Sequence, residues 1–259
     1  MAAVIRLKLA REEVHVLLQI AQLPGMMGVE PFAPSPEGEA LFSLALRTLI
    51  ARGLVELKSD GQFVVDQSVM GIVAASAGPD VMAVINARTA NFDITTTFPI
   101  QLKPGLLISH QADQGIHTFE VFEDVREIAE QAALALRIPH EMNAIDVKPL
   151  RVRNTTMNAA REVRQQGAQA ILRALVQDQG DQMAQQRLAE TLANSTFNMS
   201  FSMLRSITDQ IDGFAVIASN QLCYMVTPDK DPNSPWLTIA STSTQDIRRR
   251  VHGACLTAL

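Results

Sequence analysis

The clearest structural pattern in the sequence lies in Leu106–Arg137, LLISHQADQGIHTFEVFEDVREIAEQAALALR. Its first part predicts two strands, Leu106–His110 and Ile116–Phe122, because they are rich in Ile, Val, Phe and Thr and are separated by a polar turn. Glu123–Arg137 then repeats apolar residues at helical spacing, which predicts an amphipathic helix. The stretch therefore predicts a hairpin followed directly by a helix that lies across the sheet.

A second stretch near the C-terminus has the same plan, although few of its residues are identical to those of the first. Leu222–Thr227 and Trp236–Ala240 are predicted strands on either side of a polar turn. Ser241–Ser243 is a predicted cap, and Thr244–Leu259 is a predicted helix. The two stretches form a repeat of plan without a fixed period.

Two such stretches predict the fold class. We expect a quasi-two-fold α+β protein with helices on one face of a largely antiparallel sheet. Its single domain would contain two quasi-repeated halves, approximately residues 1–145 and 146–259. The other sheet face, or the sheet edges, would then be free to bind a partner.

The N-terminal segment predicts a winged-helix-like start. Apolar spacing predicts one helix over Glu12–Gln22 and another over Pro36–Arg52. Ser35 is placed as the N-cap of the second helix, and Gly53 is placed just after its end. A short predicted hairpin over Leu54–Val65 completes the order helix, helix, hairpin.

The rest of the chain predicts further strands and helices. The predicted strands are Val81–Ala87, Asn91–Thr97, Thr196–Leu204 and Gly213–Ser219. The predicted helices are Val69–Ala75, a long tract over Asn154–Gln177, and Asp181–Ala193.

Composition limits the classes of function. The 259 residues include 22 Lys+Arg and 27 Asp+Glu, a net charge of −5, and 47% of them are hydrophobic. A chain this apolar can form a core, so it is not predicted to be disordered. The acidic balance argues against a partner that is nucleic acid, because neutralising phosphates requires a surplus of Lys and Arg.

The ends and cysteines of the sequence predict a cytoplasmic protein. Arg6 and Lys8 interrupt the N-terminal apolar residues, so no secretory signal is predicted. The apolar segments are too short to cross a bilayer, and we expect no membrane partner. Two cysteines, Cys223 and Cys255, do not make a disulfide framework and are predicted to be buried thiols.

Two clusters resemble metal sites. His110, Asp113 and His117 are predicted to lie on one turn, but their spacing matches no common metal site. The segment starting at Asp229 resembles the opening of a calcium loop, yet Ser234 and Ala240 stand where glycine and a bidentate glutamate are needed. We therefore expect no metal and no cofactor.

Catalytic motifs are also missing from the sequence. It has no Gly-x-Ser-x-Gly, P-loop, Gly-x-Gly-x-x-Gly or His-Glu-x-x-His motif. We predict that the protein is not an enzyme and has no catalytic residues. A small hydrolase or ligand-binding enzyme with a dispersed site stays open as an alternative.

A winged-helix regulatory protein is the other alternative. The predicted helix Pro36–Arg52 offers Arg47 and Arg52 to DNA, but it also carries Glu37 and Glu39. Because its apolar positions nearly encircle it, packing within the protein is the better interpretation.

One predicted strand suggests a site for a protein partner. Phe197, Met199, Phe201 and Met203 alternate with polar residues, so one face of the strand is apolar and adaptable. This face either packs into the core or receives a partner. We name these four residues as the candidate partner-binding residues.

At this point the layout resembles the EspG family, cytosolic chaperones associated with type VII (ESX) secretion. The segment Leu49–Leu54, LIARGL, is similar to the family's "L-x-x-R-G-L" segment. The closing strand, polar turn, Trp236 strand and last helix also resemble the family pattern.

The resemblance implies a quasi-two-fold α+β fold and a partner, not a reaction. Family members bind the helical tip of a PE–PPE heterodimer and keep it soluble before export, through the central sheet and the C-terminal helical region. We therefore expect a protein-binding chaperone that shields a helical secreted protein or a PE–PPE-like heterodimer. Neither the identity of this client nor the oligomeric state of the chain is predicted.

Overall fold

Ten antiparallel strands form one sheet in the computed structural model, which describes residues 5–31, 35–101, 106–138, 141–206, 209–220, 222–231 and 233–257. The strands are β1 Ile5–Ala10, β2 Val55–Leu57, β3 Phe63–Val65, β4 Val81–Thr89, β5 Asp93–Gln101, β6 Leu106–Asp113, β7 Ile116–Phe122, β8 Leu150–Arg153, β9 Phe197–Ser206, β10 Asp209–Ala218, β11 Cys223–Pro228 and β12 Trp236–Ser241. Only β2 and β3 lie outside the sheet among the described strands, and they form the separate small hairpin that the sequence predicts.

Helices connect and cover these strands. They are α1 Arg11–Ile20, α2 Pro36–Ala51, α3 Gln67–Ala77, α4 Val125–Ala135, α5 Asn154–Glu162, α6 Ala168–Leu175, α7 Gln182–Ala193 and α8 Thr244–Thr257. Ser35 caps α2 as predicted, because its hydroxyl accepts the Gly38 N–H at 3.0 Å. The tract predicted as one long helix is split by Gly167, whose φ of 87° is incompatible with helix and easily adopted by glycine.

The order of the strands in the sheet confirms the quasi-two-fold plan. It is β1-β7-β6-β5-β4-β9-β10-β11-β12-β8, so two five-stranded halves meet at the β4–β9 pair. Each half has one strand, a helical unit, four meandering strands and one helix, in that sequence. We call β1–α4 the N-terminal half and β8–α8 the C-terminal half; that they form one domain divided near residue 145 stays a prediction.

Equivalent backbone bonds mark the same place in both halves. Where β1 ends, Arg11 N–H donates to Gly115 O at 2.8 Å, at the turn before β7. Where β8 ends, Asn154 N–H donates to Pro235 O at 2.7 Å, just before β12. The first residue of a helix is thus tied to the neighbouring strand in the same way twice.

The first face of the sheet carries one apolar core that runs through both halves. Its helices are α4 and α8, which bury Ile128, Ala132, Ile247 and Val251 against the strands. Alternate residues of β4 and β9 supply the floor of this core, as period-two alternation requires.

Two smaller cores occupy the second face, one at each end of the sheet. At the β1 end, α1, α2 and α3 cover residues such as Leu9, Ile108 and Phe119. At the β8 end, α5, α6 and α7 cover residues such as Val152 and Tyr224.

The helices therefore do not all lie on one face, which corrects that part of the prediction. Adjacent strand residues such as Leu107 and Ile108 are both apolar and buried, so both faces of the outer strands need cover. The α+β class and the antiparallel sheet are as predicted.

Candidate protein-binding surface

The centre of the second face, between the two helical units, is lined by polar side chains. We call these residues the polar strip, and they are Asn86, Thr95, Asn198, Ser200 and Ser202. Asn86 links three strands, because its Nδ2 donates to Ser200 Oγ at 3.2 Å and its Oδ1 accepts from Thr95 Oγ1 at 2.7 Å. All five side chains are exposed or half-buried, so the strip can be reached from solvent.

An apolar cavity of about 690 Å³ adjoins the polar strip. Met82 and Leu204 lie in its wall and pair across β4 and β9, four residue pairs along the strands from Asn86 and Ser200. The other walls are the segments 24–27, after α1, and 76–79, at the end of α3. Strip and cavity thus form one continuous surface, with hydrogen-bonding groups at one end and an apolar hollow at the other.

Methionines give this cavity an adaptable lining. Met26, Met27 and Met82 all lie in its wall. Unbranched thioether side chains change rotamer easily and fit apolar groups of different shapes. The cavity suits an apolar group brought by a partner better than a substrate that must be held in one orientation.

The four candidate partner-binding residues lie on the opposite face. Phe197, Met199, Phe201 and Met203 are buried, none with more than 3% of its surface exposed, in the core under α4 and α8. β9 is also a central strand, bonded to β4 and β10, and not an edge. These side chains offer no surface to a partner, which corresponds to the core alternative considered above. The polar residues between them, Asn198, Ser200 and Ser202, are the accessible ones.

The His110–Asp113–His117 cluster does not assemble as the sequence suggests. His110 and His117 lie on neighbouring strands and not on one turn, and they face the second face, where their ring nitrogens are 2.9 Å apart. Asp113 is exposed and lines a polar cavity on the first face. Among the described residues, no group of three His, Cys, Asp or Glu side chains could hold a metal ion.

The histidine pair is a buried part of the core. His110 stacks on Phe119 with ring centroids 4.5 Å apart, and its Nδ1 lies 3.2 Å from the Thr97 hydroxyl. Burial and the neighbouring His117 lower the pKa of His110 to about 3. Burial, His15 and Arg11 lower the pKa of His117 as well.

The segment that resembles a calcium loop is a turn with its carboxylate already engaged. Asp229 accepts hydrogen bonds from Arg151 at 2.8 Å and from Ser234 at 2.7 Å. Asp231 accepts the Asn233 N–H, as in an ordinary Asx turn.

Both thiols are buried, as predicted, in the core of the first face. Burial raises the pKa of Cys223 and that of Cys255 to about 12, so both are protonated at neutral pH.

Within the residues that the structure describes, none of the helices combines the length and the hydropathy needed to span a bilayer.

Sequence reasoning predicts that a sheet face or edge is free to bind a partner, but it does not identify the residues of the open surface, for two different reasons. The cavity gathers residues from 24–27, 76–79, 82 and 204, which nothing in the sequence relates to one another. The polar strip did have a signal, since Asn198, Ser200 and Ser202 alternate with apolar residues, but the alternation does not tell which face stays uncovered.

Comparisons with known proteins support the fold. The chain is similar to EspG5, the type VII secretion chaperone of Mycobacterium tuberculosis, in a structure of its complex with the PE25–PPE41 dimer. The TM-score is 0.66 at 12% sequence identity, over 95% of this chain and 94% of EspG5. HtdX of the same organism aligns over 92% of this chain at 10% identity, but with a TM-score of 0.15 that carries no argument.

No protein-family model matches the sequence, and no curated protein matches it. What the structural comparison shows is therefore a fold: this chain has the fold of a secretion chaperone, as the resemblance found in the sequence implies.

Proposed function

We propose that the protein is a cytoplasmic, non-enzymatic chaperone of the EspG kind. It would bind a helical secreted protein, or a PE–PPE-like heterodimer, before type VII export. The client would bind at the polar strip and the adjoining cavity. The observation that carries this proposal is the EspG5 fold over 95% of the chain, together with an uncovered sheet centre between two helical units.

The chemistry of the surface fits the tip of a helical hairpin. A helix end has backbone N–H or C=O groups without intrahelical partners. The Asn, Ser and Thr side chains of the polar strip can both donate and accept hydrogen bonds, so they can satisfy either kind of end. The methionine-lined cavity can bury an apolar side chain that the tip would otherwise expose.

Shielding is the mechanism that follows. An exposed apolar tip makes a secreted helical protein associate with itself. Covering the tip on the polar strip and in the cavity removes that surface from water until the client is exported. The chaperone needs no chemical step, because release requires only a competing partner.

Arg52, one of the two arginines that the DNA-binding alternative requires, is already bonded within the protein. In the structure, the Arg52 guanidinium bonds to both carboxylate oxygens of Glu13, at 2.9 and 2.8 Å, and to the Lys8 carbonyl at 2.7 Å. The guanidinium is therefore already bonded to other residues of the protein, although the side chain is partly exposed.

Co-expression tests the proposal. The chain is expressed together with the products of the genes beside its own, and affinity purification then measures whether a small helical protein or pair co-purifies with it as a defined complex. We expect co-purification, and we expect Ser200→Arg to weaken it at least about tenfold, because a guanidinium on the polar strip blocks close approach.

Gln245→Arg is the matched control. Of the helices in the C-terminal half, α5, α6 and α7 lie on the same sheet face as the polar strip, whereas α8 lies on the opposite face. Gln245 is exposed on α8, so the same change there should leave binding unaltered. Equal losses for the two variants, or no complex with any helical neighbour, would contradict the proposal.

A further inference from the structure

The two outermost described strands of the sheet are β1 and β8, which makes them its edges. An edge strand presents N–H and C=O groups that can pair with a strand of another chain, which leads to self-association. Two exposed apolar side chains would favour such pairing: Ile5, in β1 itself, is 41% exposed, and Ile116, opposite Ala10 in β7, is 46% exposed. Some backbone N–H and C=O groups of β1 and β8 point away from the sheet. Whether these outward groups are already bonded therefore decides whether a further strand can pair with the sheet.

At β1, a buried carboxylate and an arginine bond to the outward groups. The N–H and C=O of one residue in an antiparallel strand point to the same side. Arg11 N–H points inward to Gly115 O, so Ala10 and Lys8 point outward. Ala10 N–H donates to Glu13 Oε2 at 2.8 Å, and Lys8 C=O accepts from Arg52 at 2.7 Å.

The two side chains at β1, Glu13 and Arg52, also bond to each other. One guanidinium nitrogen of Arg52, Nη1, donates to both carboxylate oxygens of Glu13, which is only 4% exposed. The planar guanidinium can therefore bond to the carboxylate with one nitrogen and to the Lys8 carbonyl with the other.

At β8, the same kind of pair appears at the equivalent position. Asn154 N–H points inward to Pro235 O, so Arg153 points outward. Arg153 N–H donates to Asp178 Oδ2 at 2.8 Å, and Arg153 Nε donates to Asp178 Oδ1 at 2.6 Å. Asp178 is 4% exposed.

The Asp178 carboxyl group is ionised at neutral pH. Burial alone would raise its pKa, but the hydrogen bonds from Arg153 and from Thr156 outweigh burial and lower the pKa below its ordinary value. The carboxylate therefore accepts both hydrogen bonds wherever the protein is folded near neutral pH.

We propose that the Glu13–Arg52 and Asp178–Arg153 pairs are edge locks, which keep the sheet from adding a strand of a second copy of this chain. The β1 lock occupies two outward backbone groups, the Ala10 N–H and the Lys8 C=O, and the β8 lock occupies one, the Arg153 N–H. β1 has six residues and β8 has four, so the β1 lock guards the longer edge. The proposal assigns a role to Arg52, the arginine of the segment Leu49–Leu54, that client binding does not explain.

Opening the β1 lock tests the inference. Sedimentation velocity over a concentration series compares the wild-type chain with Arg52→Ala, which frees the Lys8 carbonyl. We expect the variant to self-associate with a dissociation constant at least about tenfold lower than that of the wild type. Arg88→Ala is the matched control, because Arg88 forms an exposed 2.8 Å ion pair with Asp93 inside the sheet, away from both edges.

A rescue variant separates strand addition from unfolding. Proline is tolerated on an edge strand where its missing N–H would face outward, and it prevents pairing there. Lys8→Pro in the Arg52→Ala background should therefore abolish the new association. If Arg52→Ala does not fold, Arg52→Lys replaces it with the same expectation, because a single ammonium cannot reproduce the guanidinium's bonds to both Glu13 and Lys8.

Three results would overturn the inference. The first is that Arg52→Ala self-associates no more strongly than the wild type, and the second is that Arg88→Ala self-associates as strongly as Arg52→Ala. The third is that the double variant with Lys8→Pro still self-associates as Arg52→Ala does.

Discussion

In the N-terminal half, the carboxylate at the end of the edge strand is close in sequence to its donor: Glu13 accepts the N–H of Ala10, three residues earlier. In the C-terminal half, the equivalent carboxylate is 25 residues away, Arg153 to Asp178. The arginine shows the opposite arrangement, because Arg52 comes from the distant end of α2 whereas Arg153 is in the strand itself. In both halves a carboxylate accepts a backbone N–H at the end of the edge strand, but the residues that do so are unrelated in sequence position.

The comparison explains why the repeat is visible as a plan and not as sequence identity. A buried backbone N–H must have an acceptor, but any carboxylate that reaches it will do. The two halves therefore share the pattern of buried apolar positions, whereas the residues that make their polar contacts can differ. The seam between the halves, the β4–β9 pair, is where both depend on the same core.

The largest effect is expected from breaking that seam. Phe201 lies in β9 opposite Ile85 and contacts Phe214 with ring centroids 5.3 Å apart. Phe201→Ala leaves a cavity in the core shared by both halves and should cost about 3–5 kcal/mol in the free energy of unfolding, measured with urea. Ser200→Ala, next in the chain but on the polar strip, should change stability by less than about 0.5 kcal/mol. A folded Phe201→Ala variant of nearly unchanged stability that no longer bound the client would restore Phe201 as a partner-binding residue.

A smaller effect distinguishes the halves by their response to acid. The pKa of His110 in the N-terminal half is about 3, below the ordinary value of 6.5, so the folded state binds fewer protons than the unfolded state between these values. The stabilisation is complete above about pH 6.5 and falls as the pH is lowered, with a slope of up to about 1.4 kcal/mol per pH unit. His110→Gln should flatten this slope in urea unfolding between about pH 7 and about pH 4.5.

His252→Gln, on α8 in the C-terminal half, is the control for this prediction. An acid slope that is the same in both variants would show that the histidine pair is not its source. The buried hydroxyl of Tyr224 adds nothing in this range, because burial raises its pKa to about 12.

The smallest effect concerns the hairpins that the two halves build differently. β6 and β7 join through Gln114–Gly115, both with positive φ, whereas β11 and β12 are joined by a longer turn. Gly115→Ala should cost about 1 kcal/mol, because φ of 77° strains a residue with a Cβ atom. Gly253→Ala in α8 is a control with no contact to a new Cβ within 4 Å, and it should be neutral or slightly stabilising. Equal unfolding free energies for Gly115→Ala and the wild type would remove the strain argument.

Local signals predicted the elements that depend on neighbouring residues. The hairpin–helix plan of Leu106–Arg137, the cap at Ser35 and the strand Ile116–Phe122 all depend on spacing within a short segment. β1 is not among the predicted strands, although Ile5, Leu7 and Leu9 alternate with Arg6 and Lys8 in a strand pattern.

Features that depend on distant segments could not be predicted. The direction in which Phe201 and Ser200 point was clear from alternation, but which of the two faces is covered depends on where α4 and α8 pack. The Glu13–Arg52 pair joins residues 39 apart and leaves no periodic pattern in the sequence. The sequence predicts His110 and His117 on one polar turn, because no strand-breaking residue marks the extra length of β6.

Cysteine labelling tests the central claim, that the polar strip is the client surface, most directly. The native thiols are buried and protonated, so Ser200→Cys on the strip and Gln245→Cys on α8 can each be labelled selectively with a maleimide. We predict that binding of the co-expressed helical pair slows labelling of Ser200→Cys at least about tenfold and leaves Gln245→Cys unchanged. Protection at Gln245→Cys with Ser200→Cys still reactive would contradict the account.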